Sequence, residues 1–234
     1  MKLYYDFHIH SALSACADDD MTPGNIVNMA RLKGLDVIAV TDHNSVRNAG
    51  AAVRAGERVG LHVLPGMEVQ TAEDVHVLCL FPALEAAEEV AVYIYKNLPD
   101  IKNRADIFCR QLLFDDEDNV VGEEERMLAN SAGVSMDRLF DAVLGVGGVC
   151  VPAHIDRPSY SVISNLGFFP PDLPTGYVEI SGNPDDAFGN MYENYGILRN
   201  SDAHSLGAIS ERTSCLDIVN DSSINIMKKI LRKL

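Results

Sequence analysis

The sequence has no CxxC pair, no run of about 18 apolar residues and no apolar leader, and it is short of positive charge. Its five cysteines (16, 79, 109, 150 and 215) are odd in number and scattered. That excludes a disulfide framework and makes a reducing, cytoplasmic compartment the expected one. No membrane span is expected, and the opening MKLYYDFHIHS lacks the core of a signal peptide. Lys and Arg total 19 against 34 Asp and Glu, a formal charge of −15. Charge of that sign repels polyanions, so a surface for long nucleic acid is not expected. No internal repeat and no Gly/Ser- or Pro-rich linker divides the chain.

What is present is ordinary globular material: 234 residues, 47% apolar and 23% charged. A chain of this length buries a sizeable core without staples. Short β-rich runs alternate with amphipathic stretches. Strands are expected at 3–9, 36–41, 61–64, 75–81, 148–151, 177–180, 198–201 and 214–218. Helices are expected from Pro23 (capped by Thr22 and stopped by Gly34), over 48–59, 84–96 and 224–234. This order predicts an α/β fold with a mainly parallel sheet of seven or eight βα units, near the lower size limit of a barrel. Residues 97–147 break the pattern. They carry acidic runs at 115–118 and 123–125 and read as an inserted segment or lid with helical pieces, within a single domain over 1–234. The basic cluster at 228, 229, 232 and 233 reads as a solvated helix end.

Seven histidines are present, and six fall at or near predicted strands: His8, His10, His43, His76, His154 and His204. In an α/β barrel the C-terminal strand ends converge on one face. Residues i and i+2 of a strand share a side, so His8 and His10 can present two imidazoles to one ion. Asp202 and His204 repeat that spacing. Asp42 and His43 are adjacent, which makes His43 the ligand and Asp42 a hydrogen-bonding support. Glu68, after the third strand, is a carboxylate able to bridge two cations. His62 stands apart and reads as structural.

Together these motifs resemble the PHP (polymerase and histidinol phosphatase) family of metal-dependent phosphoesterases. The resemblance runs through Asp6-Phe-His-Ile-His10, Thr41-Asp-His43, Gly66-Met-Glu68, His76, Pro152-Ala-His154 and Asp202-Ala-His204, and leaves out 97–147. It implies a distorted (β/α)7 barrel, TIM-barrel-like, with three divalent ions (zinc, manganese or iron). Carried over by motif, the first ion takes His8, His10, Glu68 and Asp202. The second takes Glu68, His76 and His154. The third takes His43, His204 and one residue of the loop after His10. That loop is longer here than the family pattern. Counting back from Pro23 selects Asp18, the favoured residue; counting forward from His10 selects Cys16, and Asp19 and Asp20 stay open.

The function expected is hydrolysis of a small phosphorylated substrate, a phosphomonoester or nucleotide, by metal-activated hydroxide, with Glu68 and Asp202 holding the ions. Arg157 lies on the same face and can clasp phosphate oxygens or pair with a local acid; Arg47 and Arg199 are weaker candidates. A metal-dependent C–N hydrolase and a non-catalytic metal-stabilised binding module are the alternatives.

Overall fold

The computed structural model describes residues 1–182 and 194–232. Strands β1 (Lys2–Ile9), β2 (Val37–Val40) and β3 (His62–Gln70) pair in parallel, joined by helices α1 (Pro23–Leu32) and α2 (Ala49–Val59). Thr22 caps α1, its Oγ1 accepting from the Asn25 amide, and Pro23 opens the helix. Strand β2 is wholly buried, as its unbroken Val-Ile-Ala-Val run requires of a strand covered on both faces.

The parallel order stops there. Strand β4 (His76–Leu80) turns back antiparallel on β3, and β7 (Val149–Pro152) is antiparallel to β4. Five residues, 71–75, separate β3 from β4, too few for a crossover helix. The sheet order is β10-β1-β2-β3-β4-β7, with β10 (Cys215–Asp217) antiparallel to the outer half of β1. Strands β8 (Tyr177–Glu179) and β9 (Gly196–Leu198) form a separate parallel pair. They bridge the two ends of the curve. The Ile155 amide donates to the Glu179 carbonyl beyond β7, and Ala203, beyond β9, bridges to Ile9 of β1. Asp6, fully buried, ties the same seam by accepting from the Ser201 amide and hydroxyl and the Ser210 amide.

Helices α3 (Leu84–Asn97) and α4 (Met136–Gly145) flank the inserted region. Its centre is not helical but an antiparallel ribbon of β5 (Leu112–Phe114) and β6 (Val120–Glu123). Asp115–Asp118 forms the tip of that ribbon, with Asp118 in a left-handed conformation (φ 62°). Ribbon and core are linked by Asn48, whose amide donates to the Leu112 carbonyl and accepts from the Phe114 amide. Helix α5 (Val162–Leu166) is short, and α6 (Ser223–Leu231) closes the described chain; Lys233 of the basic cluster lies outside the described residues. No described helix is long and apolar enough to cross a membrane. All five cysteines are free.

Candidate metal centre

Six of the seven histidines gather on one side of the strands, around Glu68. His8 and His10 come from the end of β1, with Nε2 atoms 3.2 Å apart. Glu68 Oε1 lies 2.9 Å from His76 Nδ1, 3.2 Å from His8 Nε2 and 3.3 Å from His154 Nε2. Its Oε2 lies 3.1 Å from His43 Nδ1. Asp202 Oδ1 is 3.1 Å from Nε2 of both His8 and His10. His62 stays apart, its Nε2 3.1 Å from the Ser223 hydroxyl of α6.

The proton positions on three rings follow from their partners. Glu179 accepts from His8 Nδ1 at 3.0 Å, which fixes a hydrogen there and turns Nε2 inward; burial opposes charge on this ring, yet Glu179, Asp202 and Glu68 hold its pKa well above the ordinary value. Ser14 donates to Asp42 at 2.7 Å and therefore accepts from His10 Nδ1 at 3.0 Å. The Asp202 carbonyl can only accept, so His204 Nδ1, 2.8 Å away, carries the hydrogen. Asp42 thus acts on His10 through Ser14, and it also accepts from the Ser11 amide and hydroxyl.

Four buried atoms at this centre have no hydrogen-bond partner: His43 Nδ1, Glu68 Oε2, His154 Nδ1 and Asp202 Oδ1. Glu68 Oε2 and Asp202 Oδ1 stand close to imidazole nitrogens without engaging them. A buried polar atom left unpaired costs about 1–3 kcal/mol, and divalent cations relieve several at once. Three donor groups, each with ligand atoms within 4.8 Å of one another, are built this way: His8–His10–Glu68, His43–Glu68–His76 and His10–Cys16–His43–His204. The residues present therefore fit divalent cations.

Electrostatics reinforce the point. Burial opposes charge on Glu68, but the facing imidazoles of His76 and His8, with His154 and His43 beside them, hold its carboxyl well below the usual carboxylate range. Burial likewise opposes charge on Asp202, and His8 and His10 override it, keeping the acid ionised. Burial pushes His10 down to about 3, so its imidazole is neutral, as a ligand must be. Burial disfavours the His43 cation, yet Cys16 and Glu68 raise it to about 10. Burial opposes the Cys16 thiolate, yet His204 and His43 bring the thiol down to about 7. His154 (φ 29°) and Asp202 (φ 51°) both sit in left-handed backbone, a conformation that costs about 1–3 kcal/mol and concentrates at functional sites.

The structure thus brings together His8, His10, His43, Glu68, His76, His154, Asp202 and His204. It does not bring Asp18 in. Among the described residues no donor group contains Asp18, Asp19 or Asp20, and Cys16 stands in the cluster instead. The two counts along the loop disagree because it buckles: Ala17 donates to the Ser14 carbonyl and Asp18 to the His204 carbonyl. Arg157 pairs with Asp202, Nη1 to Oδ2 at 2.5 Å, at the mouth. Arg47 is bonded to Glu124 and Arg199 to the Gly182 carbonyl, both in structural roles. Glu179 escaped the sequence reading. It accepts from His8, the His154 amide and Asn200, and its one signal was a carboxylate inside a strand.

The mouth is a small cleft of about 150 Å³ lined by His43, His76, His154, Arg157, Tyr160 and His204. A larger one, about 490 Å³, shares His43, His76 and Tyr160 and continues between Cys16 and the inserted segment at Lys102, Arg104 and Phe108. Tyr160 stacks on His76 with centroids 4.7 Å apart.

Comparison with known proteins matches residues 6–159 to the PHP domain model. Endonuclease Q of Pyrococcus furiosus superposes with a TM-score of 0.70 at 19% identity, over 98% of this chain and 56% of that one. The 5'-3' exoribonuclease of Haemophilus influenzae is 32% identical over 71 residues, 30% of this chain and 25% of that protein. The phosphoribosyl 1,2-cyclic phosphate 1,2-diphosphodiesterase of Eggerthella lenta is 32% identical over 80 residues, 32% of this chain and 29% of that protein. The chain spans less than half the length of the curated relatives it matches. The expectation against long nucleic acid is overturned by these findings. An endonuclease Q complex of the same fold (TM-score 0.67, 18% identity, over 97% of this chain and 56% of that one) holds a 27-mer duplex with an abasic lesion at its active site. Net charge failed as a guide because it averages the whole envelope. The acidic tip at 115–118 is part of the inserted ribbon, whereas Arg157, Lys102 and Arg104 line the clefts, each paired with an acid: Asp202, Glu125 and Asp106.

Proposed function

This chain belongs to the PHP domain family, and from that premise we propose that it is a metal-dependent phosphoesterase acting at the cluster around Glu68. The observation that carries the reading is the convergence of buried, unpaired donor atoms on His43, Glu68, His154 and Asp202. Cations bound there supply Lewis acidity to a phosphoryl oxygen and lower the pKa of a water from 15.7 toward about 7. Mixed imidazole and carboxylate donors suit zinc, manganese or iron, and three donor groups accommodate three ions.

The chain's own residues do the rest. Glu179, Ser14 and the Asp202 carbonyl hold hydrogens on the Nδ1 atoms of His8, His10 and His204, leaving each Nε2 free for a ligand. Arg157 stands where its guanidinium can take a phosphate oxygen while keeping Asp202 oriented. The larger cleft receives the leaving group: Phe108 and Tyr160 offer ring faces, and Lys102 and Arg104, paired here with Glu125 and Asp106, are cations that an incoming phosphate can draw from those acids. The substrate class that fits is a phosphorylated nucleoside unit, free or at the end of a strand. Two of the curated relatives support it, one an exoribonuclease and the other a phosphoribosyl cyclic phosphate diphosphodiesterase by description.

The test offers metal-loaded protein bis(4-nitrophenyl) phosphate, nucleoside monophosphates and 5'-phosphorylated single-stranded oligonucleotides in Mn²⁺ or Zn²⁺. Phosphoester hydrolysis abolished by chelator supports the reading. No turnover of any of the three at full metal loading overturns it in favour of a binding module. Amide cleavage without phosphate release would place it among C–N hydrolases.

A further inference from the structure

The group His10–Cys16–His43–His204 differs from the other two in one atom type, since a sulfur stands where they have only nitrogen and oxygen. We propose that Cys16 is a metal ligand, completing with His43 and His204 a thiolate–imidazole site that selects a thiophilic divalent ion of zinc type over manganese or magnesium. The inference rests on the metal-centre reading above and goes beyond it by assigning one of the sites a different metal class.

Five observations place the sulfur there. The thiol and the ring nitrogens of His10, His43 and His204 all lie within 4.8 Å of one another, a spread that one tetrahedral ion spans. The His204 ring has its hydrogen fixed on Nδ1 by the Asp202 carbonyl, so its other nitrogen presents a lone pair. The His10 ring lies between its neighbours, stacked on His204 with centroids 4.3 Å apart and tilted by 42° to His43 at 4.6 Å, so the imidazoles are packed rather than splayed. His43 is more than nine-tenths buried and its Nδ1 has no hydrogen-bond partner. The loop presents Cys16 from both sides, through the Cys109 amide on the Ala15 carbonyl and the Asp18 amide on the His204 carbonyl.

The donor chemistry fixes the consequence. Thiolate favours zinc and similar soft or borderline ions, whereas carboxylate favours manganese and magnesium. The sites that contain Glu68 accept either class. The Cys16 site does not, so the centre holds two kinds of position side by side.

The experiment uses the full chain after chelation. Cobalt titration is expected to give a near-ultraviolet thiolate-to-cobalt charge-transfer band, absent in Cys16→Ser, while the visible bands of the nitrogen–oxygen sites persist. Alkylation by iodoacetamide, followed peptide by peptide, is expected to slow at Cys16 with Zn²⁺ and not with Mn²⁺, with Cys109 as internal control. Cys16→Ser is expected to lose one zinc equivalent or weaken it by more than about tenfold, the least that even outer-sphere partners of ligands cause. If Cys16→Ser does not fold, the alkylation of the unaltered chain still decides. Two or more bound zinc equivalents with Cys16 alkylated at an unchanged rate and no charge-transfer band overturns this inference and leaves the metal centre standing. No binding of cobalt, zinc or manganese at all overturns both.

Discussion

Glu179 is not itself an expected ligand, yet at the back of the centre it accepts from His8 Nδ1 through both carboxylate oxygens, from the His154 amide and from Asn200. Replacing it with Gln leaves the volume and removes the charge that fixes the His8 tautomer. Glu179→Gln is expected to weaken metal binding by about 10–100-fold, measured by competition with a chelating dye. Asp202→Ala and His10→Ala are expected to lower bound metal as well as rate, and unchanged metal content in both would count against the site. Arg157→Ala is expected to keep the metals and lose about a hundredfold in kcat/KM, the scale of one lost oxyanion donor. The histidines of this centre are legible in the sequence because i, i+2 spacing at a strand end has a geometric meaning. The loop residue is not, since backbone turns at Ser14–Ala17 decide which side chain arrives, and spacing along the chain carries no record of a turn. Glu179 is illegible because one acid inside a strand looks the same whether it faces solvent or an imidazole.

At the scale of elements, β3 is the spine of the site. Its register with β4 sets Glu68 opposite Leu78 and Gln70 opposite His76, and its parallel bridge from Glu68 to His43 brings the two together. Gly66, two residues earlier, admits no side chain. A Cβ there would stand 2.8 Å from Thr41 Cγ2 and 3.2 Å from the Cys79 carbonyl. Gly66→Ala is expected to destabilise the protein by about 1–3 kcal/mol, read from urea unfolding at constant metal. The individual elements were legible from periodicity, with α1, α2, α3 and α6 each within a few residues of expectation. Strand direction was not. Alternating strands and helices signal parallel pairing, and the hairpin from β3 to β4 breaks it through a connection whose length, not composition, is the signal. The ribbon of β5 and β6 hid in an acidic stretch because the five residues that join its strands, 115–119, are Asp, Glu and Asn alone, the same residues that make a solvated face.

For the molecule as a whole, protons and cations compete for one cluster. In the metal-free protein His43 holds its proton to about pH 10, so that contribution to stability is fully present below its ordinary 6.5 and is lost as pH rises through about 10. Glu68 and Asp202 are depressed, so theirs is present above their ordinary 4.5 and 3.8 and is lost as pH falls through the lower values. Metal binding must expel the His43 proton and also that of His8, which Glu179, Asp202 and Glu68 hold well above its ordinary value against the effect of burial. Affinity is therefore expected to climb with pH up to about 10, with proton release visible by calorimetry in buffers of different ionisation enthalpy. Chelation at neutral pH is expected to lower the Tm, because ligands that bind the folded state alone stabilise it by mass action. The curve of strands is bridged where Ala203 meets Ile9, so His8 and His10 reach Asp202 and His204 from nearly two hundred residues away in the sequence. A ribosome has therefore released nearly every residue described here before His8 can meet Asp202. Two donor groups, His8–His10–Glu68 and His43–Glu68–His76, need no residue beyond 76, so part of the centre can take up cations before Asp202 and His204 exist to complete it.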